Sequence, residues 1–401
     1  MQLRDPLRHA AFRWLVTARI ANNLGNAIAP VALAFAVLDL TGSAVDLGIV
    51  VGARSVATVV LLLFGGVLAD RLPRSVILQG SSLAAALTQA LIALSVLAGF
   101  ASVPLLVVLS TLNGAVAAVS IPASLAITPQ AVPAPLLRPA NAIVRMGVTT
   151  AMTVGSSLGG LVAGVLGPGW AVAAGALAFL LAAGGYEGMR HHVTVAPPRP
   201  AARPLAELRE GWTEFRARTW VWVVVLQFMI VNAAVVGGTQ VLGPAVADTT
   251  VGRPAWGVTL GVQAVGAFLG ALVAARWHPR RPLLIGVAAV FSEALPLLAL
   301  AEAPRLPVLL IAMFLTGMAM EQFGIAWDTT MQQHIPPDKL ARVYSYDAIG
   351  SILAIPIGEM TVAPIATGLG TSLTLLGAAG LIIVATAAAL CSRDVRKLSS
   401  R

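Results

Sequence analysis

Residues 66–74 read Gly66-Val67-Leu68-Ala69-Asp70-Arg71-Leu72-Pro73-Arg74. A long apolar run ends at Ala69, three charges and a proline follow, and a second apolar run opens at Ser75. Gly66 permits close helix approach. Asp70 can cap a neighbouring helix N-terminus, and Arg71 and Arg74 hold the turn in water. The same alternation of long apolar runs and short charged turns continues in both directions. Of the 401 residues 58% are hydrophobic and only 11% charged, and the mean hydropathy is +0.86. A soluble domain carries about 25% charged residues. A soluble enzyme, a disordered chain and a disulfide-framed secreted domain are therefore excluded. The net charge of +9 and the pI near 11.0 would fit a nucleic-acid binder, but in a membrane protein they record orientation instead.

Cys391 is the single cysteine, so no intrachain disulfide can form, and it reads as inert. The histidines, His9, His191, His192, His278 and His334, fall in expected loops or tails without zinc-ligand spacing. A phosphate-binding loop pattern is missing. No metal, cofactor or catalytic residue is expected. The segment after the basic start contains Arg19, Asn22, Asn23 and Asn26, where a cleavable signal peptide would be purely apolar. It reads as a retained cytoplasmic tail leading into a membrane span.

Apolar runs bounded by charge, Pro and Gly predict twelve spans: 14–38, 44–69, 75–98, 104–127, 140–166, 170–186, 220–244, 256–275, 282–301, 306–331, 343–367 and 371–391. Each is long enough to cross a bilayer as a helix, which satisfies its own backbone where lipid cannot. With twelve spans both termini share one side. Twenty-one of the 26 Lys and Arg fall on that side, in the tails and even-numbered loops, and only Arg253 and Arg305 on the other. That asymmetry predicts cytoplasmic termini. Arg19, Arg54 and Arg145 lie inside expected spans.

The longest loop, 187–219, divides the chain into a six-span half (1–186) and a second one (220–401). After Pro197, Pro198, Pro200 and Pro204 it carries Leu205, Leu208, Trp212 and Phe215 at helical spacing among charges. Two readings stay open: an amphipathic helix on the inner membrane surface, or a linker helix packed on the protein.

Twelve spans, a central loop and the turn at 66–74 together carry a resemblance. The turn is similar to the signature cytoplasmic loop of the major facilitator superfamily, Gly-x-x-x-Asp-Arg-x-x-Arg. The turn after span eight resembles a degenerate second copy, keeping Gly270, Arg276, Arg280 and Arg281 without the acid. Two further stretches look like the branch containing enterobactin exporters and macrolide efflux proteins. One is Ile121-Pro122-Ala123-Ser124-Leu125-Ala126-Ile127-Thr128-Pro129 with Arg138-Pro139-Ala140-Asn141-Ala142. The other is Pro336 to Val343. Gly155-Ser156-Ser157-Leu158-Gly159-Gly160 is similar to the antiporter motif Gly-Pro-x-x-Gly-Gly, with Ser156 in place of proline. Small-residue helix packing explains the same glycines equally well. In span four, Asn113-Gly114 is present, but the arginine of proton-coupled relatives is replaced by Ser110. A coupling arginine must come from elsewhere.

A polar group inside a span is costly and marks function by default. Arg19, Asn22, Asn23 and Asn26 have offsets 0, 3, 4 and 7 and share one helical face. The resemblance implies that span one lines a central cavity, so these four, with Asn113, Asn232, Gln240 and Gln322, are the expected cavity residues. Glu321 and Asp328 share a face of span ten. With Glu293 they are the candidate proton-coupling groups, since burial and a nearby arginine move a carboxyl's affinity for protons in opposite directions. Arg145, Arg54 and Asp347, with Asp70, Arg71 and Arg74 of the turn, are the expected gate, closed by ion pairs between the halves.

The expectation is an all-α, multi-pass plasma-membrane protein, and not an enzyme. It would export a small organic molecule (drug, antibiotic or secondary metabolite) in exchange for protons, as a monomer in the lipid bilayer without nucleic acid. A dedicated siderophore or metabolite exporter, or an importer of the same fold, is the alternative. A transporter-like sensor has little support, because the loops and tails are short.

Overall fold

The computed structural model describes residues 5–192, 212–277 and 279–398. Among them no strand occurs, and twelve helices are long and apolar enough to cross a membrane. They are α1 (Ala10–Thr41), α2 (Ala44–Arg71), α3 (Arg74–Leu97), α4 (Val103–Ala126), α5 (Leu137–Val165) and α6 (Pro168–Arg190). The second set is α7 (Thr219–Thr249), α8 (Arg253–Arg276), α9 (Pro282–Glu302), α10 (Leu306–His334), α11 (Pro337–Leu353 joined at Ala354 to Ile355–Leu369) and α12 (Thr371–Cys391). The chain forms two compact units, Met1–Pro200 and Ala201–Arg401.

The two units are built on one plan. In the first, α2 packs on α4, α1 on α5 and α6, and α3 on α4 and α6. In the second, α8 packs on α10, α7 on α11 and α12, and α9 on α10 and α12. Every pair maps onto its counterpart six helices later. The turns repeat too. Gly167 opens α6 at φ 99° and Gly370 opens α12 at φ 87°, both with extended ψ, a conformation essentially restricted to glycine. A six-helix unit repeated within one chain is a common transporter design.

Lipid tails are as apolar as leucine, so helix association in a bilayer depends on close packing more than on a hydrophobic driving force. The tightest crossing of each unit shows this. A Cβ on Gly114 of α4 would lie 2.1 Å from the carbonyl oxygen of Arg54 on α2. A Cβ on Gly317 of α10 would lie 1.8 Å from that of Gln263 on α8. Only glycine permits either approach.

Three interruptions were not visible as apolar runs. Residues Gly237–Leu242 of α7 form a π turn, Val290–Glu293 of α9 a 3-10 turn, and α11 breaks at Ala354. Each precedes a proline: Pro244, Pro296 and Pro356. Proline lacks an N–H and clashes with the carbonyl four residues back, so the helix widens or tightens there.

Of the two linker readings, the described part fits the helix packed on protein. Leu205 and Leu208 lie outside the described residues. Residues 212–216 are helical, and Phe215 is buried, stacked on Trp212 at 5.7 Å. Both rings pack against Tyr346 of α11, at 5.7 Å and 5.5 Å. Glu214 accepts hydrogen bonds from Lys339 of α11 and, at 2.7 Å, from Arg218. This part of the linker is docked on protein, not spread on lipid. The Lys339 and Arg218 bonds hold the Glu214 carboxyl below its ordinary titration range. A depressed carboxyl stabilises the docked form above the unfolded value and loses that contribution as pH falls through the folded one. Trp212 fluorescence should therefore be steady above about pH 5 and red-shift below about pH 4. Lys339→Ala should move the change to higher pH; an identical profile in that variant would remove the ion pair from the docking.

Candidate functional site

The polar stripe of α1 is a half-buried face of the first unit. Arg19 donates through Nη1 to the Ser124 carbonyl of α4 at 2.8 Å. Asn23 donates to the Arg19 carbonyl at 2.8 Å, and Asn26 to the Asn22 carbonyl at 3.0 Å. Asn22 accepts from Ser82 of α3 at 3.4 Å. Pro30 lies one turn beyond Asn26, so the Asn26 carbonyl has no amide above it in the helix ladder.

The centre of this unit is Arg54. Its Nε donates to Asn113 Oδ1 of α4 at 3.0 Å, and its Nη2 to Asn26 Oδ1 of α1 at 3.1 Å. Asn113 in turn donates to Thr88 Oγ1 of α3 at 3.0 Å, and Thr88 to the Ala85 carbonyl. Three helices meet at the guanidinium, and Thr88 extends the network to a fourth. Arg54 was expected at the gate with Arg71, but seventeen residues of helix separate the two, roughly 25 Å along the axis. Its charge gave the sequence reading a class but not a depth. With Ser110 on α4 itself, the guanidinium that meets Asn113 comes from α2. Ser110 itself is 1% exposed.

Several expected cavity residues serve as ties between helices. Asn113 is 3% exposed and sits inside the Arg54 network. Asn232 donates to the Ser351 carbonyl at 2.9 Å, joining α7 to α11. Gln322 donates to the Gly270 carbonyl at 2.6 Å, joining α10 to α8. Gln240 is exposed on the π turn. The glycines of the antiporter-like stretch have a packing role as well. A Cβ on Gly155 would come within 2.8 Å of the Leu24 carbonyl, and one on Gly159 within 3.0 Å of that of Ile28.

In the second unit the acids meet aromatic rings. Asp347 accepts from Trp327 Nε1 at 3.1 Å, and Asp328 from the Tyr344 hydroxyl at 3.1 Å. Trp327 is buried and extends a run of rings: Phe228 on Phe323 at 4.3 Å, Phe323 on Trp327 at 6.1 Å, Trp220 on Trp327 at 5.6 Å. Glu321 is half-buried on the same helix as Asp328, and Glu293 is buried in the 3-10 turn of α9. None of these aromatic partners was readable from spacing, because they lie 16 and 20 residues away on the adjoining helix. Arg145 is exposed on α5, and Arg74 opens α3 directly after Pro73. The side chains of Asp70 and Arg71 lie outside the described residues.

The Major Facilitator Superfamily model matches residues 15–359. The chain belongs to the major facilitator superfamily. It is 26% identical over 390 residues to the enterobactin exporter EntS of Escherichia coli O81 (strain ED1a), covering 94% of this chain and 92% of the relative. The fold is similar to that of a bacterial homolog of the human lysosomal transporter Spinster, with a TM-score of 0.74, 17% identity and 96% of each chain covered. It is similar also to a POT family transporter in complex with a thioalcohol-conjugated peptide, with a TM-score of 0.75, 11% identity and 94% of each chain covered. As a major facilitator protein the chain is a multi-pass membrane transporter of small molecules, a class that in bacteria resides in the plasma membrane, and it is not an enzyme.

Proposed function

We propose that this transporter exports a small organic molecule by alternating access, as a monomer, driven by proton entry. The observation that carries export is the match to an enterobactin exporter along almost the whole chain. It favours a siderophore or secondary metabolite over a broad set of drugs, although the same machinery serves both. The polar face of α1 supports the reading physically. Half-exposed Arg and Asn side chains in a membrane span avoid lipid and call for water or substrate.

Proton coupling rests on the membrane carboxyls of the second unit. Glu321 is the preferred carrier, because it is neither fully buried like Glu293 nor held by a tyrosine like Asp328. Pairing of Arg19 and Arg145 with Asp328 and Asp347 to close the inner gate belongs to the same proposal.

The test is uptake of enterobactin into inside-out vesicles that carry the purified protein. An imposed acid-inside gradient should drive accumulation, and a protonophore should abolish it. Accumulation that survives the protonophore would exclude antiport. No movement in either direction would exclude transport of this substrate class.

A further inference from the structure

We infer that the first unit carries a binding site for the phosphate of an anionic phospholipid headgroup, at the membrane face where α1 begins. The site is a pocket lined by His9, Gln130 and His192, and the export reading makes no use of it.

The pocket has a volume of about 400 Å³, within the range of about 300–1,000 Å³ usual for small-ligand sites. Three separate pieces of chain form it. His9 stands at the start of α1, Gln130 in the short helix Thr128–Ala131 that follows α4, and His192 just beyond α6. The floor is firm, because Ala11, Ala131 and Val132 belong to the packed core of the unit. The side chains of His9, Gln130 and His192 make no hydrogen bond or ion pair among the described residues. Polar groups from three elements thus converge on one hollow with their hydrogen-bonding capacity unused.

The chemistry of the lining selects an anion. Each imidazole carries at least one N–H and the carboxamide two, while no carboxylate lines the pocket. A hard cation calls for carboxylate oxygens, and among the described residues no group of three His, Cys, Asp or Glu could hold a metal ion. Donors without an acid suit an ionised oxygen. The acids closest in sequence are engaged elsewhere, Asp5 with Arg8 at 4.0 Å, and Glu187 with Arg190 at 3.6 Å and His191 at 3.2 Å. Depth then selects the lipid. Trp14 is exposed on α1, its ring laid against Gly188 of α6, where a Cβ would lie 2.6 Å from it. Tryptophan near the end of a span marks the membrane interface. His9 lies five residues outward of Trp14, about 7 Å along the axis. The headgroup layer is about 5–8 Å deep on each side, so the pocket opens at the level of the phosphates.

The test titrates the full-length protein in detergent and reads binding as a rise in melting temperature. The probes are dioctanoylphosphatidylglycerol, dioctanoylphosphatidylcholine and inorganic phosphate. Phosphatidylglycerol should stabilise the wild type, and the other two weakly or not at all. The double variant His9→Ala/His192→Ala should melt like wild type without lipid, since neither side chain is buried. It should lose about tenfold in affinity for phosphatidylglycerol, as two hydrogen bonds to a charged group would. If the double variant does not fold, His192→Ala alone carries the test, with a loss of about threefold. His191→Ala, outside the pocket lining, is the control and should bind as wild type does. Four results would overturn the inference: equal stabilisation by the two lipids, inorganic phosphate as effective as phosphatidylglycerol, wild-type affinity in the pocket variant, or the same loss in His191→Ala. Transport is not read, so a failure of the export reading leaves this outcome untouched.

Discussion

Gly317→Ala is expected to leave little folded transporter. The added methyl would lie 1.8 Å from the Gln263 carbonyl oxygen, 2.8 Å from its carbon and 3.0 Å from the Ala267 nitrogen. All three are backbone atoms of α8, so no side chain can swing away. The helices would have to part, yet two neighbouring levels hold them equally close. Gly266 and Gly270 of α8 bring the Phe314 and Met318 carbonyls within 2.2 Å and 2.4 Å of where a Cβ would sit. Overpacking usually costs about 1–3 kcal/mol, and a backbone clash at a crossing held close at two further points belongs at or above the top of that range. Gly324→Ala on the same helix is the control, since nothing lies within 4 Å of its Cβ, and alanine is the better helix former by about 1 kcal/mol. Thermal scans of the detergent-solubilised proteins should show Gly317→Ala aggregated or melting far earlier, with Gly324→Ala at or above wild type. Matching melting temperatures would remove close packing from the account of this crossing.

The second large effect is on coupling. Glu321→Gln should abolish uphill transport while preserving the fold. Glutamine keeps the shape and the hydrogen-bonding reach of the half-buried side chain but cannot carry a proton. With one proton exchanged per substrate, each pH unit supports about a tenfold gradient, since one unit corresponds to about 1.36 kcal/mol. In inside-out vesicles the wild type should follow that slope. The variant should equilibrate substrate without concentrating it at any imposed gradient. Undiminished proton-driven accumulation in Glu321→Gln would take this residue out of the mechanism and direct attention to Glu293 and Asp328.

Lipid is a demanding solvent, and that made the fold readable. Because every span needs an unbroken run of apolar residues, all twelve expected runs correspond to helices, with ends shifted by several residues. The π turn, the 3-10 turn and the break at Ala354 escaped, although Pro244, Pro296 and Pro356 carried the signal. The α1 stripe was legible because helical geometry places offsets 0, 3, 4 and 7 on one face. Arg54 was not. Its partners lie 28 and 59 residues away, and only the crossing angles of three helices bring them together. For the same reason Gln322 and Asn232 read as ligand contacts when they join helices. An amide in a membrane span needs a partner, and sequence does not say whether that partner is a substrate or a carbonyl.

The matched packing plans of the two units have a consequence for experiment. Folded one after the other, they form a two-row alignment written into a single chain. At each shared crossing, one row shows which residue satisfies the packing, and any departure in the other row marks what was added for another purpose. Substituting a residue by its internal counterpart separates those two roles without recourse to any other protein. Residues at such a shared crossing can be tested with the replacement that the counterpart position carries.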